Sequence, residues 1–227
     1  AVAGLESLYE RTERWQDMAE LLRSRLAVSV DRREIARLND RLGWLLGTKL
    51  GNAEQAIRSF QAVLESDPKN KRALEALRDI YTLQGNTEEL TGVYRKLIPL
   101  QDDGNGVKQI RLKLAEVLLG AERKTEAVEQ AKRAFDLEPH VAADLARMEA
   151  IFRAGGATSE VIRAAESRAE LLTIEGNKSD AVAAWFARAA HLESASVPAF
   201  HLLRDELRAH RAADLVVAAA ARAARDE

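Results

Sequence analysis

No cysteine occurs in the 227 residues, which excludes a disulfide framework, a thiolate zinc site and a cysteine nucleophile in any compartment. Proline is scarce, with four in all, and aromatics make up only 5% of the chain, so the core has to be built mainly of alanine, leucine and valine. Charge of one sign is not in excess. A net charge of -2 and a pI near 6.2 lack the basic surplus that a phosphate backbone requires, and nucleic acid is not an expected partner. No run approaches the roughly 20 apolar residues that span a bilayer, and the first residues lack the basic-then-apolar order of a secretory signal, so membrane insertion is not expected. The balance of 47% hydrophobic and 31% charged residues suits stacked amphipathic helices better than a sheet or a disordered chain. Arginine outnumbers lysine and alanine is abundant, which suggests a bacterial source; the compartment stays open, with the cytoplasm favoured over the periplasm.

The usual signatures of chemistry are missing too. Three of the four histidines, His191, His201 and His210, crowd the C-terminal part, but with His140 they fall on or beside different helices without the i, i+4 spacing of a metal-binding helix. Gly104, Gly106 and Gly155-Gly156 follow or separate helices, with no preceding strand and no Lys-Ser/Thr, so none forms a phosphate-cradling loop. No Gly-x-Ser-x-Gly elbow occurs. The pairs Glu88-Glu89 and Asp102-Asp103 stand at helix starts or in loops, where carboxylates favour the helix dipole. No enzymatic activity, cofactor or metal is expected.

What the chain does have is repetition. Residues 37-68 read as two helices joined at Leu50-Gly51-Asn52 and closed by Asp67-Pro68. A shift of 34 residues carries Gly51-Asn52 onto Gly85-Asn86, Phe60 onto Tyr94, Ala56 onto Leu90 and Gly47 onto Tyr81. In these positions the chain resembles the tetratricopeptide-repeat (TPR) family. The resemblance implies an all-α, right-handed superhelical solenoid of about six helix pairs plus a C-terminal helix, and a protein that binds rather than reacts. Repeats are expected at about 1-30, 31-69, 70-105, 106-139, 140-176 and 177-210 in a single solenoid, with a final helix at 212-225 that is either a cap or half of a further repeat. The first residue is not Met and stands partway into a repeat, so a piece of a longer repeat protein is expected.

Along the chain, Val2, Leu5, Leu8 and Tyr9, then Trp15, Met18, Leu22 and Leu26, show helical spacing. Asp31 is a candidate N-cap for a helix to Leu50. Gln101 to Gly106 read as a loop, which lengthens the offset between the third and fourth repeats to 37, and Glu122-Arg123 replaces the Gly-Asn turn there. Leu114, Leu118, Ala127, Ala131 and Ala134 take packing positions, and Pro139 closes the repeat. Tyr9, Tyr81 and Phe152 recur at one position, and Phe60 and Tyr94 at another, as packing between helices demands. Trp15 and Trp185 are left open. Trp44 occupies a place where many such repeats carry glycine or alanine, so a wider helix spacing is expected there. Helices carrying Trp185 and Phe186, then Leu202 and Leu203, complete the sixth pair.

In the TPR family the first helix of each pair lines the concave face. Carried over, this places Ser7, Glu10, Arg41, Leu45, Lys49, Glu75, Asp79, Leu83, Leu112, Glu116 and Leu119 on that face, followed by Ala143, Ala146, Ala150, Arg153, Ala183, Ala187 and His191. The carboxylate clamp of one TPR subclass is absent, because its asparagine positions hold Leu45, Asp79 and Glu116. With Glu75, Asp79 and Glu116 and no matching basic residue from the third and fourth repeats, the expected partner is another protein or peptide, basic beside an apolar anchor. The alternative is a structural spacer that contacts only its own neighbours.

Overall fold

The computed structural model describes residues 2-138 and 140-174. Pro139 and the sixth pair with its final helix, including His191, His201, His210, Trp185, Phe186, Ala183 and Ala187, lie outside the described residues. Among the described residues the chain is helical without a strand: α1 (Val2–Arg11), α2 (Trp15–Val28), α3 (Arg32–Thr48), α4 (Ala53–Ser66), α5 (Lys71–Gln84), α6 (Thr87–Leu97) with a 3-10 turn at Ile98–Leu100, α7 (Gly104–Gly120), α8 (Lys124–Phe135), α9 (Ala142–Ala154) and α10 (Thr158–Ile174). The chain forms two compact units, Ala1–Gln101 and Asp102–Glu227. Within the first, successive helices pack on each other and α3 also meets α5; within the second, α7 likewise meets α9. Short turns force antiparallel pairs, and the added contacts bring first helices of successive pairs together.

Capping sets the helix starts. The side chain of Asp31 accepts from the Arg33 N–H, Asn52 from Gln55, Asn70 from Ala73 and Asp103 from Gly106, at 3.0, 3.1, 3.0 and 2.6 Å. The last of these corrects the expected loop: Gly104, Asn105 and Gly106 are the first turn of α7. Two glycines disfavour a helix by about 1 kcal/mol each relative to alanine, and an aspartate cap of typically about 1 kcal/mol offsets part of this at the one end where it can act.

The turns inside the pairs share one device. Glu13, Gly51, Gly85, Glu122 and Gly156 all adopt left-handed backbone, with φ of 54, 63, 66, 59 and 74°. They stand 38, 34, 37 and 34 residues apart, so each marks the same point of a pair. In four of the five, the next residue's N–H reaches back five residues: Arg14 to Tyr9, Asn86 to Tyr81, Arg123 to Leu118 and Ala157 to Phe152, at 2.9 to 3.0 Å. At the end of α3 the Asn52 N–H reaches Leu46 at 2.8 Å, six residues back. That turn holds one extra residue, so the counterpart of Tyr81 is Leu46, not Gly47.

Glu122 thus keeps the glycine turn geometry without glycine. A side chain in this conformation costs roughly 1-2 kcal/mol, whereas glycine adds about 0.5-1 kcal/mol of backbone entropy to lose. Glu122 also pairs with Lys124 at 3.3 Å, but both side chains are exposed and such a pair contributes little. Glu122→Gly is therefore expected to stabilise the second unit by about 0.5-1 kcal/mol, read from a urea midpoint; a lower midpoint would refute it.

The cores are aliphatic with a few aromatics. Met18, Leu22, Leu38, Leu42, Phe60, Leu74, Leu77 and Tyr81 are buried in the first unit; Leu114, Leu118, Ala127, Ala131, Ala134, Met148 and Phe152 are buried in the second. No wide spacing is needed beside Trp44, because that side chain points outward and is 45% exposed. The close approach is made by Gly43, where a Cβ would stand 3.0 Å from the Phe60 ring.

Candidate functional site

The extra residue at the end of α3 rotates the register of its face. One residue turns a helix by about 100°, so counting back from Gly51 by the regular offset exchanges an outward position for an inward one. Leu45 is accordingly 1% exposed, in the stripe Leu38, Leu42, Leu45 and Leu46, and does not stand on the outward face of α3. The outward stripe runs through Arg33, Arg37, Arg41, Trp44 and Thr48. Leu112 is also buried, fully, because α7 turns a broad face inward that includes Lys108, Ile110, Leu114 and Ala115.

The remaining expected residues divide between the units. In the first, Arg41 is half-buried and donates to Glu6 at 2.6 Å, with Glu10 at 3.5 Å. Glu6 also accepts from Arg25 at 2.6 Å, so Arg41 ties α3 to the first pair as well as lining its surface. Lys49 is exposed, with its ammonium 4.9 Å from the Trp15 ring and 5.9 Å from that of Trp44. On α5, Glu75 is half-buried, Leu83 is 89% exposed, and Asp79 accepts from the Arg78 Nε at 2.8 Å. In the second unit, Leu119 is half-buried, Glu116 accepts from Arg147 at 2.8 Å, and Arg153 donates to Glu149 at 2.5 Å. Asp79 and Glu116 therefore both have cations beside them; that of Asp79 is its chain neighbour Arg78, from the third repeat where no matching basic residue was expected, and that of Glu116 is Arg147 of α9, from the fifth repeat.

The first unit brings three of these residues to one place. A pocket of about 250 Å³ opens between α1, α2, α3 and α5, lined by Glu10, Trp15, Met18, Arg41, Trp44, Leu45 and Arg72. Leu45 forms part of its floor from within the core. Lys49 caps the two indoles from the end of α3. Trp15, Trp44 and Arg72 were not expected here, although the spacing Arg37, Arg41, Trp44 along α3 is the signal that marks an outward stripe once the register is corrected. An apolar wall with cations at its rim can hold an aromatic or aliphatic side chain and read the charge next to it. It offers no nucleophile and no acid-base pair.

Among the described residues no group of three or more histidine, aspartate or glutamate side chains is arranged to hold a metal ion, and no helix is long and apolar enough to cross a membrane. His140 packs against Phe135, ring centroids 5.0 Å apart, and burial together with the nearby Lys108 charge lowers its pKa. Glu160, bonded to Lys132 and Ser159, is held at about 2.

The family profile described as tetratricopeptide repeat matches residues 1–36 and 73–106. Among solved structures, the MamA protein superposes with a TM-score of 0.50 at 21% identity, covering 78% of this chain and 88% of that one. A tetratricopeptide repeat protein from Parabacteroides merdae gives a TM-score of 0.52 at 15% identity over 99% of this chain and 91% of that one. A chain of the Naa15/Naa10 complex bound to HypK-THB gives 0.51 at 12% identity over 96% of this chain and 38% of that one. At these identities the likeness is one of fold. No curated protein matches in sequence.

Proposed function

We propose that the chain, whose residues 1–36 and 73–106 match the tetratricopeptide-repeat profile and whose fold is that of such repeats, is a non-enzymatic interaction module that holds a segment of another protein against the first helices of its pairs, the concave side expected of such an array. The observation that carries this reading is the pocket between Trp15 and Trp44. Trp44 is large and apolar and stands 45% exposed beside a second indole, which is what an anchor site for a partner side chain provides. A basic-apolar segment would instead have to be held on α5 by Glu75 with an Asp79 already bonded to Arg78. The pocket on α3 needs no such exchange.

The test is a selection from a random peptide display library on the 227-residue chain, followed by titration of the enriched peptides against wild type and Trp44→Ala. Trp44 is outward, so its truncation leaves the core intact, and circular dichroism checks this. Loss of a buried indole contact is worth about 2 kcal/mol, or roughly 30-fold in affinity. Enriched peptides that weaken by that order on Trp44→Ala support the reading. If none depends on Trp44, this pocket is not the site, and a spacer role with no ligand in this segment becomes the better account.

A further inference from the structure

A second pocket lies next to the first along α3. It measures about 560 Å³ and is lined by Arg32, Arg33, Ala36, Arg37 and Asp40 of α3, by Val63, Ser66 and Asp67 at the end of α4, and by Asn70 and Arg72 at the start of α5. Four guanidinium groups face two carboxylates here, in a chain whose net charge is -2. The two carboxylates leave most of the cluster's charge unbalanced. Asp67 is engaged in its own turn, accepting from the Lys69 N–H at 3.2 Å and the Asn70 side chain at 3.3 Å, and Asp40 holds Arg72 at 3.2 Å. Arg37 meets Glu34 only at 3.4 Å and is 73% exposed. Among the described residues Arg32 and Arg33 have no ion-pair partner. Arg72 also lines the tryptophan pocket, so the two sites share a wall.

We propose that the partner segment is an acidic one, carrying aspartate or glutamate on one side of an apolar anchor, and that Arg32, Arg33, Arg37 and Arg72 bind the acidic part while Trp15 and Trp44 take the anchor. This rests on the reading of the tryptophan pocket given above and adds the charge and spacing of its occupant. Guanidinium groups suit carboxylates because their paired N–H donors match both oxygens. The spacing follows from helix geometry. Arg37 and Arg33 precede Trp44 by seven and eleven residues, about 10 and 16 Å along the helix at ~1.5 Å per residue. An extended segment covers those distances in about three and five residues. The acidic residues therefore sit about three to five positions from the anchor; Lys49 lies beyond Trp44 with the same positive sign, while Arg41 is already paired with Glu6 and Glu10.

The experiment uses the peptides enriched on the full chain that depend on Trp44. They are expected to carry net negative charge with acids at that spacing. The double variant Arg33→Glu/Arg37→Glu should weaken them at least tenfold, while lysine-for-acid versions of the same peptides should lose a similar factor on wild type and recover on the double variant. Affinity should also fall as salt rises. Peptides that depend on Trp44 but are neutral or basic, or that bind the double variant as well as wild type, would overturn this inference and leave the tryptophan anchor standing. An absence of Trp44-dependent peptides would overturn both. Circular dichroism of the double variant separates lost binding from lost structure, and the exposed positions of both arginines make an intact fold the expectation.

Discussion

Tyr81→Ala is expected to lower the stability of the first unit by about 3-5 kcal/mol, the cost of emptying a buried aromatic position. Tyr81 is 4% exposed on α5, among Leu74 and Leu77 on its own helix and opposite α6. Its hydroxyl accepts from Gln61 Nε2 at 3.4 Å, and burial raises the phenol pKa. The backbone role is separable from the ring. The Tyr81 carbonyl accepts the Asn86 N–H at 3.0 Å whatever the side chain, so alanine removes the ring and leaves the turn. Tyr81→Phe should cost no more than about 1 kcal/mol, since a long bond to an exposed glutamine is all that is lost. Urea unfolding gives the totals, and amide exchange in α4, α5 and α6 shows where stability is lost. A midpoint for Tyr81→Ala within error of wild type would mean that the ring is not part of the core.

The same residue shows what the sequence could reveal. Tyr81 and Phe152 repeat at an offset of 71, and each accepts the turn's returning N–H, so a pattern visible as spacing is the same hydrogen bond made twice. Alanine positions such as Ala127, Ala131 and Ala134 follow in the same way, because small residues at helical period specify close approach between helices. What spacing did not reveal was the extra residue before Gly51. It leaves the apolar period of α3 intact and changes only how far the turn reaches back, to Leu46, so a register counted from the turn put Leu45 outside and Trp44 between helices. Nor could the acidic face be read from local residues. Glu116 is met by Arg147, which arrives from a helix about 30 residues on, and the four arginines of the α3 pocket come from two helices that only folding brings together.

The last expectation concerns a buried charge in the second unit. Lys108 is 1% exposed on α7, with its ammonium 3.7 Å from Asp144 Oδ2 on α9. The same oxygen accepts from Gln109 Nε2 at 2.8 Å, and Arg147 stands 3.6 Å from the other one. Asp144→Ala would take the carboxylate from a nearly fully enclosed ammonium and from two further donors. Removing one member of such a pair typically costs about 3-5 kcal/mol, because the remaining charge keeps its desolvation penalty. Replacing both members is a different matter. Lys108→Met with Asp144→Leu removes both penalties and fills the space with apolar atoms, so the double variant should be close to wild type or more stable, and clearly above Asp144→Ala. Urea midpoints of the two variants, with amide exchange in α7 and α9, measure the difference. If Asp144→Ala costs under about 1 kcal/mol, the Lys108 ammonium reaches water by a small shift of its stem, and the pair holds α7 to α9 by position rather than by charge.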